Sequence, residues 1–471
     1  MSDKRPDIIF IVTDQQRGDC LGADGHPALL TPNMDEFARQ GVRFNKAYST
    51  CPSCIAARRS MLTGQFPATH GMVGFQDGDE MFPAATLPGE LSKAGYQTFM
   101  VGRSMHQYPR RKRYGYDHMV LLGDIEKRRD GYFGADGHGL TGNGWTARPW
   151  HLDESCHPTV ETADEAIRFL EQWRDPSCPF FLTVSFLAPH PPLCPPAFYM
   201  DRYLRMELPV PVTGDWAEKP DGLFSVDEDR LCLEGEALHS CRAAYYGLIN
   251  HVDDQISRIV RAVGVDPFTG RAALDNTVVV FTSDHGEMLG DHYLFRKTYP
   301  YEGSARIPFL IQPPESAGIQ PGQVCSAPVC HEDIMPTLLD FAGVPAPDCV
   351  EGRSLVPLMR NPETEWREYL HGEHGNCYGE HQSNHYLTDG KEKYVWYTHS
   401  GKEQLFDLTA DPDELHNLAA SGKHTKRLEQ WHSRLVQELD GRPEGFTDGK
   451  KLIAGRPHDS VMAAKTKSKG G

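Results

Sequence analysis

Short β-branched runs alternate with helical stretches over the first three quarters of the chain, the pattern of a mostly parallel sheet covered by helices on both faces. Five runs predict strands: Ile8 to Val12, Thr98 to Val101, Phe180 to Leu187, Thr277 to Thr282 and Phe309 to Gln312. Between the last three, Tyr245, Leu248, Ile249, Val252, Ile256, Ile259 and Val263 recur at helical spacing, so a long amphipathic helix should lie on that sheet. Pro336 followed by Thr337-Leu-Leu-Asp-Phe-Ala-Gly343 predicts a second helix, with proline in its first turn and glycine beyond its end. From about residue 376 the pattern changes to short alternating strands, Tyr394 to Tyr397 and Gln404 to Asp407, and then a helix near Thr425 to Leu439. The expected fold is therefore α/β: a large mixed, mostly parallel sheet sandwiched by helices, with a smaller C-terminal antiparallel sheet plus helix. The boundaries read as 1–375 for the large unit, 376–445 for the small one and 446–471 for a flexible tail, which ends in the small, basic run Ala463 to Gly471.

Length and composition sharpen this only in places. A chain of 471 residues, 39% hydrophobic and 24% charged, buries a large core. Its formal net charge of −17 argues against a nucleic-acid partner, which needs clustered Lys and Arg, and means that an anionic substrate must meet a local basic pocket. The apolar start, Ile8 to Val12, is too short for a signal-peptide core, and no run of about 18 apolar residues exists, so no membrane span is expected. Twelve cysteines without framework-like spacing suggest reduced thiols and a cytoplasmic address.

Ligands in open α/β sheets gather at the carboxyl ends of strands. The residues just beyond the predicted strands are polar: Asp14-Gln-Gln-Arg17, Gly102-Arg-Ser-Met-His106, Ala188-Pro-His190 and Ser283-Asp-His-Gly286. Each alone is an ordinary turn or cap. Together, at one sheet edge, two carboxylates, an amide and several imidazoles can bind one divalent cation through hard oxygens with a nitrogen donor.

Pro52-Ser-Cys-Ile-Ala-Ala-Arg-Arg-Ser-Met-Leu-Thr-Gly64 is the most specific segment. Ser53 can cap a helix starting near Cys54, with Arg58 one turn on along the same face and Gly64 past its end. A sulfur at a helix N-terminus beside a guanidinium suits a nucleophile or an anion. Cys51-Pro-Ser-Cys54 also reads as a redox or metal-binding pair, although no second pair accompanies it. Arg110-Arg-Lys-Arg113 is the densest basic run and reads either as a solvated face or as the approach for a polyanion.

Cys54, Ala56 and Arg58, followed by Leu62-Thr-Gly64, resemble the sulfatase maturation pattern Cys-x-Pro-x-Arg with its Leu-Thr-Gly. Cys51 does not match, since Ile55 stands where the arginine belongs. Asp284-His-Gly-Glu-Met-Leu-Gly-Asp-His292 with Lys297, Glu302, Arg306 and Pro308 is similar to a second block of the same family. Further matches at Ala188-Pro-His190, at His331-Glu-Asp333 to Thr337, and at Leu405-Phe-Asp407 with Asp411 to Asn417 extend the likeness over roughly residues 7 to 440.

The resemblance implies an alkaline-phosphatase-like fold and hydrolysis of a sulfate ester through a formylglycine made from Cys54 by a maturation enzyme. Asp14, Gln15, Asp284 and His285, with the modified Cys54, would bind one divalent ion, Ca²⁺ by family, with Mn²⁺ the alternative because imidazole is the softer donor. Arg58 would steady the nucleophile. Lys297 and His190 would contact the sulfate and the departing oxygen, either serving as general acid, His190 being the better match to neutral pH. Arg103 stands where the family has lysine, and His106, one residue late, would be the base that triggers sulfate release.

Gln15 in place of a second Asp, together with His285, resembles the phosphonate monoester hydrolase and choline sulfatase branch. Ala56 replaces the family's usual proline, which bears on maturation. The expected substrate is a sulfated small molecule, an aryl sulfate or a saccharide. The alternatives are a phosphonate monoester or phosphodiester hydrolase on the same scaffold, and a silent anion-binding relative with an unmodified thiol. Residues 107–160 and 198–240 are the insertions expected to shape the alcohol pocket. The oligomeric state is left open, a homo-oligomer included.

Overall fold

In the computed structural model the described residues are 5–125, 140–221, 228–265, 270 and 272–462. Strand β1 (Asp7–Asp14) is buried along its whole length and splits the interior in two by its alternation. Ile9 and Ile11 join one core, which holds Leu248, Val252 and Ile256 of the Gly235–Ala262 helix. Ile8, Phe10 and Val12 join the other, with Met61 and Leu62 of the Cys54–Thr63 helix and Leu338 of the Ile334–Phe341 helix. A run apolar on both faces is what a strand sandwiched between helix layers requires.

Eight strands form the main sheet: β1, β2 (Val42–Phe44), β4 (Gln97–Gly102), β5 (His118–Leu121), β6 (Phe180–Pro189), β7 (Thr277–Ser283), β8 (Phe309–Gln312) and β9 (Gln323–Cys325). Their order is β5-β4-β6-β1-β7-β8-β2-β9, and only β8 runs antiparallel to its neighbours. A short pair, β3 (Ala47–Tyr48) with β10 (Val329–Cys330), stands beside it. The five expected strands are all present. Register then aligns their ends: Thr13 lies opposite Ser283, Val12 opposite Ser185, and Gly102 opposite Ser185. Asp14, Arg103 and Asp284 therefore leave one edge at one level.

The smaller sheet is an antiparallel meander of β11 (Leu370–His374), β12 (Asn384–Thr388), β13 (Glu392–Tyr397) and β14 (Glu403–Asp407). Leu387, Tyr394, Trp396 and Leu405 face Trp431 and Leu435 of the Thr425–Glu438 helix. Tyr386, Val395 and Phe406 face Tyr48 and Tyr301 of the large unit. The sheet begins at Leu370, ahead of the expected residue 376. The polar spelling Leu370-His-Gly-Glu-His374 hid β11, because its buried Glu373 is neutralised from afar by Arg442 at 2.8 Å.

The tail expected from residue 446 also starts later. Phe446 is fully buried against Trp396 and His458 nearly so against His385, while Val461 pairs with Met72, so the segment packs on the small sheet first and reaches the large unit only at residues 460–462; Ala463 to Gly471 lie outside the described residues. Hydrophobic contact by Phe446 outweighs the polar composition around it. All twelve cysteines are free. Among the described residues, no helix is long and apolar enough to cross a membrane.

Candidate active site

Gly102 ends β4 with φ +98°, and a Cβ there would sit 2.1 Å from the Ser185 carbonyl oxygen. Only glycine allows that approach, which lets the Arg103 N–H donate to Ser185 O at 2.7 Å and turns the Arg103 side chain over the sheet edge. Its Nε lies 2.5 Å from Asp14 Oδ2. The Cys54–Thr63 helix points its N-terminus at the same place, and Gly64 closes its other end at φ +65°, donating to Ser60 O, as expected. The expected Ser53 cap does not form. Ser53 is extended, and its buried Oγ has no partner, because the preceding turn is held instead by Ser53 N donating to Cys51 O at 2.6 Å.

Cys54 and Arg58 share the helix face that looks onto the strand ends. Cys54 Sγ lies 3.1 Å from His285 Nε2 and 3.6 Å from Asp14 Oδ1. Arg58, fully buried, donates through Nε to Asp284 Oδ2 at 2.9 Å, through Nη2 to Asp14 Oδ2 at 3.3 Å and through Nη1 to Ser185 Oγ at 2.8 Å. One ligand atom each from Asp14, Cys54, Asp284 and His285 lies within 4.8 Å of the other three. The donor set suits a divalent cation. His285 Nδ1 donates to Gly286 O at 2.9 Å, which leaves the Nε2 lone pair directed at the cluster, the tautomer a metal ligand needs.

Gln15 stands at the rim of this cluster. Its side-chain oxygen accepts from Lys297 Nζ at 2.8 Å, its side-chain nitrogen donates to Glu287, and its backbone N–H donates to Asp284 Oδ1 at 3.1 Å. Lys297 Nζ also reaches His190 Nε2 at 2.9 Å. His106, in the left-handed region at φ +52°, faces Asp77 across 3.8 Å. Burial opposes its protonation, but the Asp77 carboxylate and the Cys54 sulfur outweigh that and raise its pKa above the usual histidine value. Asp14 is the converse: burial pushes its pKa up, yet the Arg103, Arg58 and Lys297 charges hold it well below the ordinary carboxylate range. Arg58, Arg103 and Lys297 make this the local basic pocket that a chain of net charge −17 requires.

The ten residues expected at the site thus all reach it: Asp14, Gln15, Cys54, Arg58, Arg103, His106, His190, Asp284, His285 and Lys297. Three partners were not singled out. Ser185 anchors Arg58, Asp77 holds His106, and Glu287 binds Gln15; Glu287 lay within the quoted Asp284 to His292 block, whereas Asp77 sits in a loop with no pattern of its own. The basic run at residues 110 to 113 is paired away: Arg111 with Asp124 at 2.7 Å, Lys112 with Glu80 at 2.8 Å, and Arg113 with the Asp117 carbonyl. On either side of that run, Tyr116 is core, stacked on Phe181 and bonded to Thr183, while Tyr108 is exposed. Within the two insertions, residues 126–139 and 222–227 lie outside the described residues.

The sulfatase family model matches residues 6–344, and the model for the C-terminal region of N-sulphoglucosamine sulphohydrolase matches residues 290–440. An arylsulfatase of Clostridium perfringens is 43% identical over 96% of this chain and 98% of its own. Two solved structures superpose closely. A protein in complex with its substrate D-glucosamine-2-N,6-O-disulfate gives a TM-score of 0.75 at 25% identity, covering 93% of this chain and 99% of that one. The phosphonate monoester hydrolase of Agrobacterium radiobacter gives 0.74 at 25% identity, covering 96% and 100%.

Proposed function

The chain belongs to the sulfatase family, whose members hydrolyse sulfate esters, and from that premise we propose that it cleaves the sulfate ester of a small aryl or carbohydrate alcohol at Cys54. The carrying observation is the convergence of Asp14, Cys54, Asp284 and His285 in one buried cluster roofed by Arg58. These four residues would hold one divalent cation, Ca²⁺ or Mn²⁺, which supplies Lewis-acid polarisation of the sulfate oxygens. Conversion of Cys54 to formylglycine, by a maturation enzyme that accepts Ala56, provides a hydrated aldehyde. Its second hydroxyl can expel sulfate, which a thiol cannot do.

The chain's own residues do the rest. Arg58 fixes Asp14 and Asp284 and so sets the geometry under position 54. Lys297 and His190 hold the sulfate and deliver a proton to the departing alkoxide, and Arg103 balances Asp14. His106, oriented by Asp77, accepts the proton whose loss triggers sulfate release. A sulfated saccharide is supported as substrate class by the glucosamine disulfate bound to the structural neighbour. Twelve free thiols support the proposed cytoplasmic address.

A second reading, a phosphonate monoester hydrolase, is favoured by the likeness to the Agrobacterium enzyme and by Gln15 beside His285. Two measurements on the protein from its native host decide between these readings. The Cys54 peptide should carry an aldehyde by intact mass, and kcat/KM should be higher on 4-nitrophenyl sulfate than on an aryl phosphonate monoester. Dominance of the phosphonate reverses the ranking, and an unmodified thiol with no turnover makes the chain a silent anion binder.

A further inference from the structure

Asp77 faces His106 from the loop of residues 71–79 and is itself exposed, so its position depends on what holds that loop. At one end Arg59, from the Cys54–Thr63 helix, donates to the Asp79 carbonyl at 2.6 Å and to its carboxylate at 2.9 Å. At the other end the holder is the C-terminal segment. Ser460 O accepts from Val73 N at 2.9 Å, Ser460 Oγ accepts from Phe75 N at 3.1 Å, and Met462 N donates to Gly71 O at 2.9 Å. Phe75 then meets the His106 ring edge-on, with centroids 6.4 Å apart. One hydroxyl thus holds the backbone two residues from Asp77 and one ring from His106.

The same hydroxyl reaches a second loop. Ser460 Oγ donates to Asn376 O at 2.6 Å, His458 O accepts from Asn376 N at 2.7 Å, and Gly375 N donates to Val73 O at 2.6 Å. Two residues on, the Tyr378 ring lies 5.1 Å from the guanidinium of Arg296, the neighbour of Lys297. Both loops are shaped for this contact. A Cβ on Gly74 would sit 2.5 Å from Ser460 Oγ, and one on Gly375 would sit 2.7 Å from Asp459 O, so the segment fits only against glycine. The segment is anchored on each side of Ser460. His458 stacks on His385 of the small sheet at 4.8 Å, and Val461 packs with Ile55, Ala56 and Met72 on the large unit.

We propose that Ser460 is a positioning residue for the His106 base: through Phe75 and Asp77 it sets where that imidazole stands, and through Asn376 it fixes the second loop to the same point. This rests on the role assigned to His106 in sulfate release. There His106 takes the proton of the hydroxyl left at position 54, the O–H pair becomes the carbonyl bond, and the C–O pair leaves with sulfate. The alcohol has already departed. A misplaced base therefore slows the second half of turnover and spares the first.

Matured, metal-loaded Ser460→Ala should lose kcat on 4-nitrophenyl sulfate by about tenfold, below the hundredfold that a full ångström of misplacement costs. KM should fall with it, so that kcat/KM stays within about twofold, and a burst of 4-nitrophenol should precede the slower rate. Gly74→Ala, which pushes the segment off the loop from the other side, should show the same split. His106→Asn alone should cost more, and adding Ser460→Ala to it should cost nothing further. Amide hydrogen exchange reads the tether without turnover: residues 73–77 should exchange faster in Ser460→Ala while the strands of the main sheet stay protected. Faster exchange in a chain that hydrolyses no ester keeps Ser460 as the tether of the Asp77 loop and removes the sulfatase reading. A kcat/KM that falls in step with kcat and without a burst, losses that multiply with His106→Asn, or unchanged exchange at residues 73–77 overturns the proposal.

Discussion

Lys297 Nζ stands 2.9 Å from His190 Nε2, and His190 Nδ1 stands 2.7 Å from the Pro191 carbonyl oxygen. A carbonyl only accepts, so Nδ1 carries the imidazole proton and Nε2 accepts from the ammonium. Burial first, and then the Lys297 charge, hold the His190 pKa well below the usual histidine value. The acidic proton of this pair therefore resides on Lys297, and His190 orients it, which reverses the preference for His190 drawn from its ordinary pKa. Lys297→Met should lower kcat/KM on an aryl sulfate by about 10²–10⁴-fold. His190→Asn should cost less, and the double variant no more than Lys297→Met alone, since one shared proton cannot be lost twice. Steady-state kinetics on the four proteins checks this, and strictly additive losses would show two independent acids.

Arg58 separates two fully buried carboxylates, with Asp284 on Nε and Asp14 on Nη2. A lysine cannot reproduce three donors in one plane, so Arg58→Lys should behave as a loss and not as a conservative change. Breaking a buried charge set costs about 3–5 kcal/mol, because the remaining charges stay unpaired. The cost should be greatest in chelator-treated protein, where one ammonium at position 58 cannot bridge both Asp14 and Asp284 and only Asp14 keeps a second partner, Arg103, and smaller after a divalent ion is added. Urea unfolding of wild type and Arg58→Lys with and without the ion measures the difference; equal destabilisation in both conditions contradicts it.

The strands that carry the site were readable because each is a β-branched or aromatic run buried on both faces, and because polar residues such as Asp14 and Asp284 stand out where such a run stops. Their lateral order was not, since it depends on which crossover passes over which face. The three-residue strands β2 and β9 are too short to show a period, and β11 hides its alternation behind Glu373. In the site, Cys54 and Arg58 were fixed by helical spacing alone. Ser53 misled, because a local preference for capping lost to the turn that brings Cys51 against the helix.

The Nε2 lone pair of His285, freed by its Nδ1 bond to Gly286, bears on which ion is held. Three oxygen or sulfur positions and one imidazole favour Mn²⁺ more than an all-oxygen set would. In the wild type both Mn²⁺ and Ca²⁺ should raise the melting temperature with concentration, as expected for a ligand bound only by the folded state. His285→Asn should weaken the Mn²⁺ effect more than the Ca²⁺ effect, and Asp284→Asn should weaken both. Calorimetric titration of each ion into chelator-treated protein gives the affinities; an unchanged Mn²⁺ to Ca²⁺ ratio in His285→Asn removes the imidazole from the ligand set.

Three histidines away from the site, His292 buried and His26 and His70 partly so, weaken the fold as pH falls. His26 Nδ1 accepts from Leu29 N at 2.8 Å, His70 Nδ1 from Met72 N at 3.3 Å, and His292 Nδ1 from Gly214 N at 3.0 Å. Burial, first in each case, lowers their pKa values to about 4, 3 and 4, and protonation would also cost each ring its backbone bond. Because the folded values lie below the unfolded value near 6.5, the unfolded chain binds more protons as pH falls. The stabilisation is therefore fully present above about pH 6.5 and is lost progressively as pH drops from there toward 4. At pH 5.5 each ring forfeits up to about 1.4 kcal/mol, roughly 4 kcal/mol for the three, enough to lower the melting temperature by several degrees. Scanning calorimetry from pH 7.5 to 5.5 should show that slope, and His26→Gln, which no longer titrates, should flatten it by about a third while lowering stability at pH 7.5. A melting temperature that stays level across that interval means that these rings take up protons without disturbing the fold.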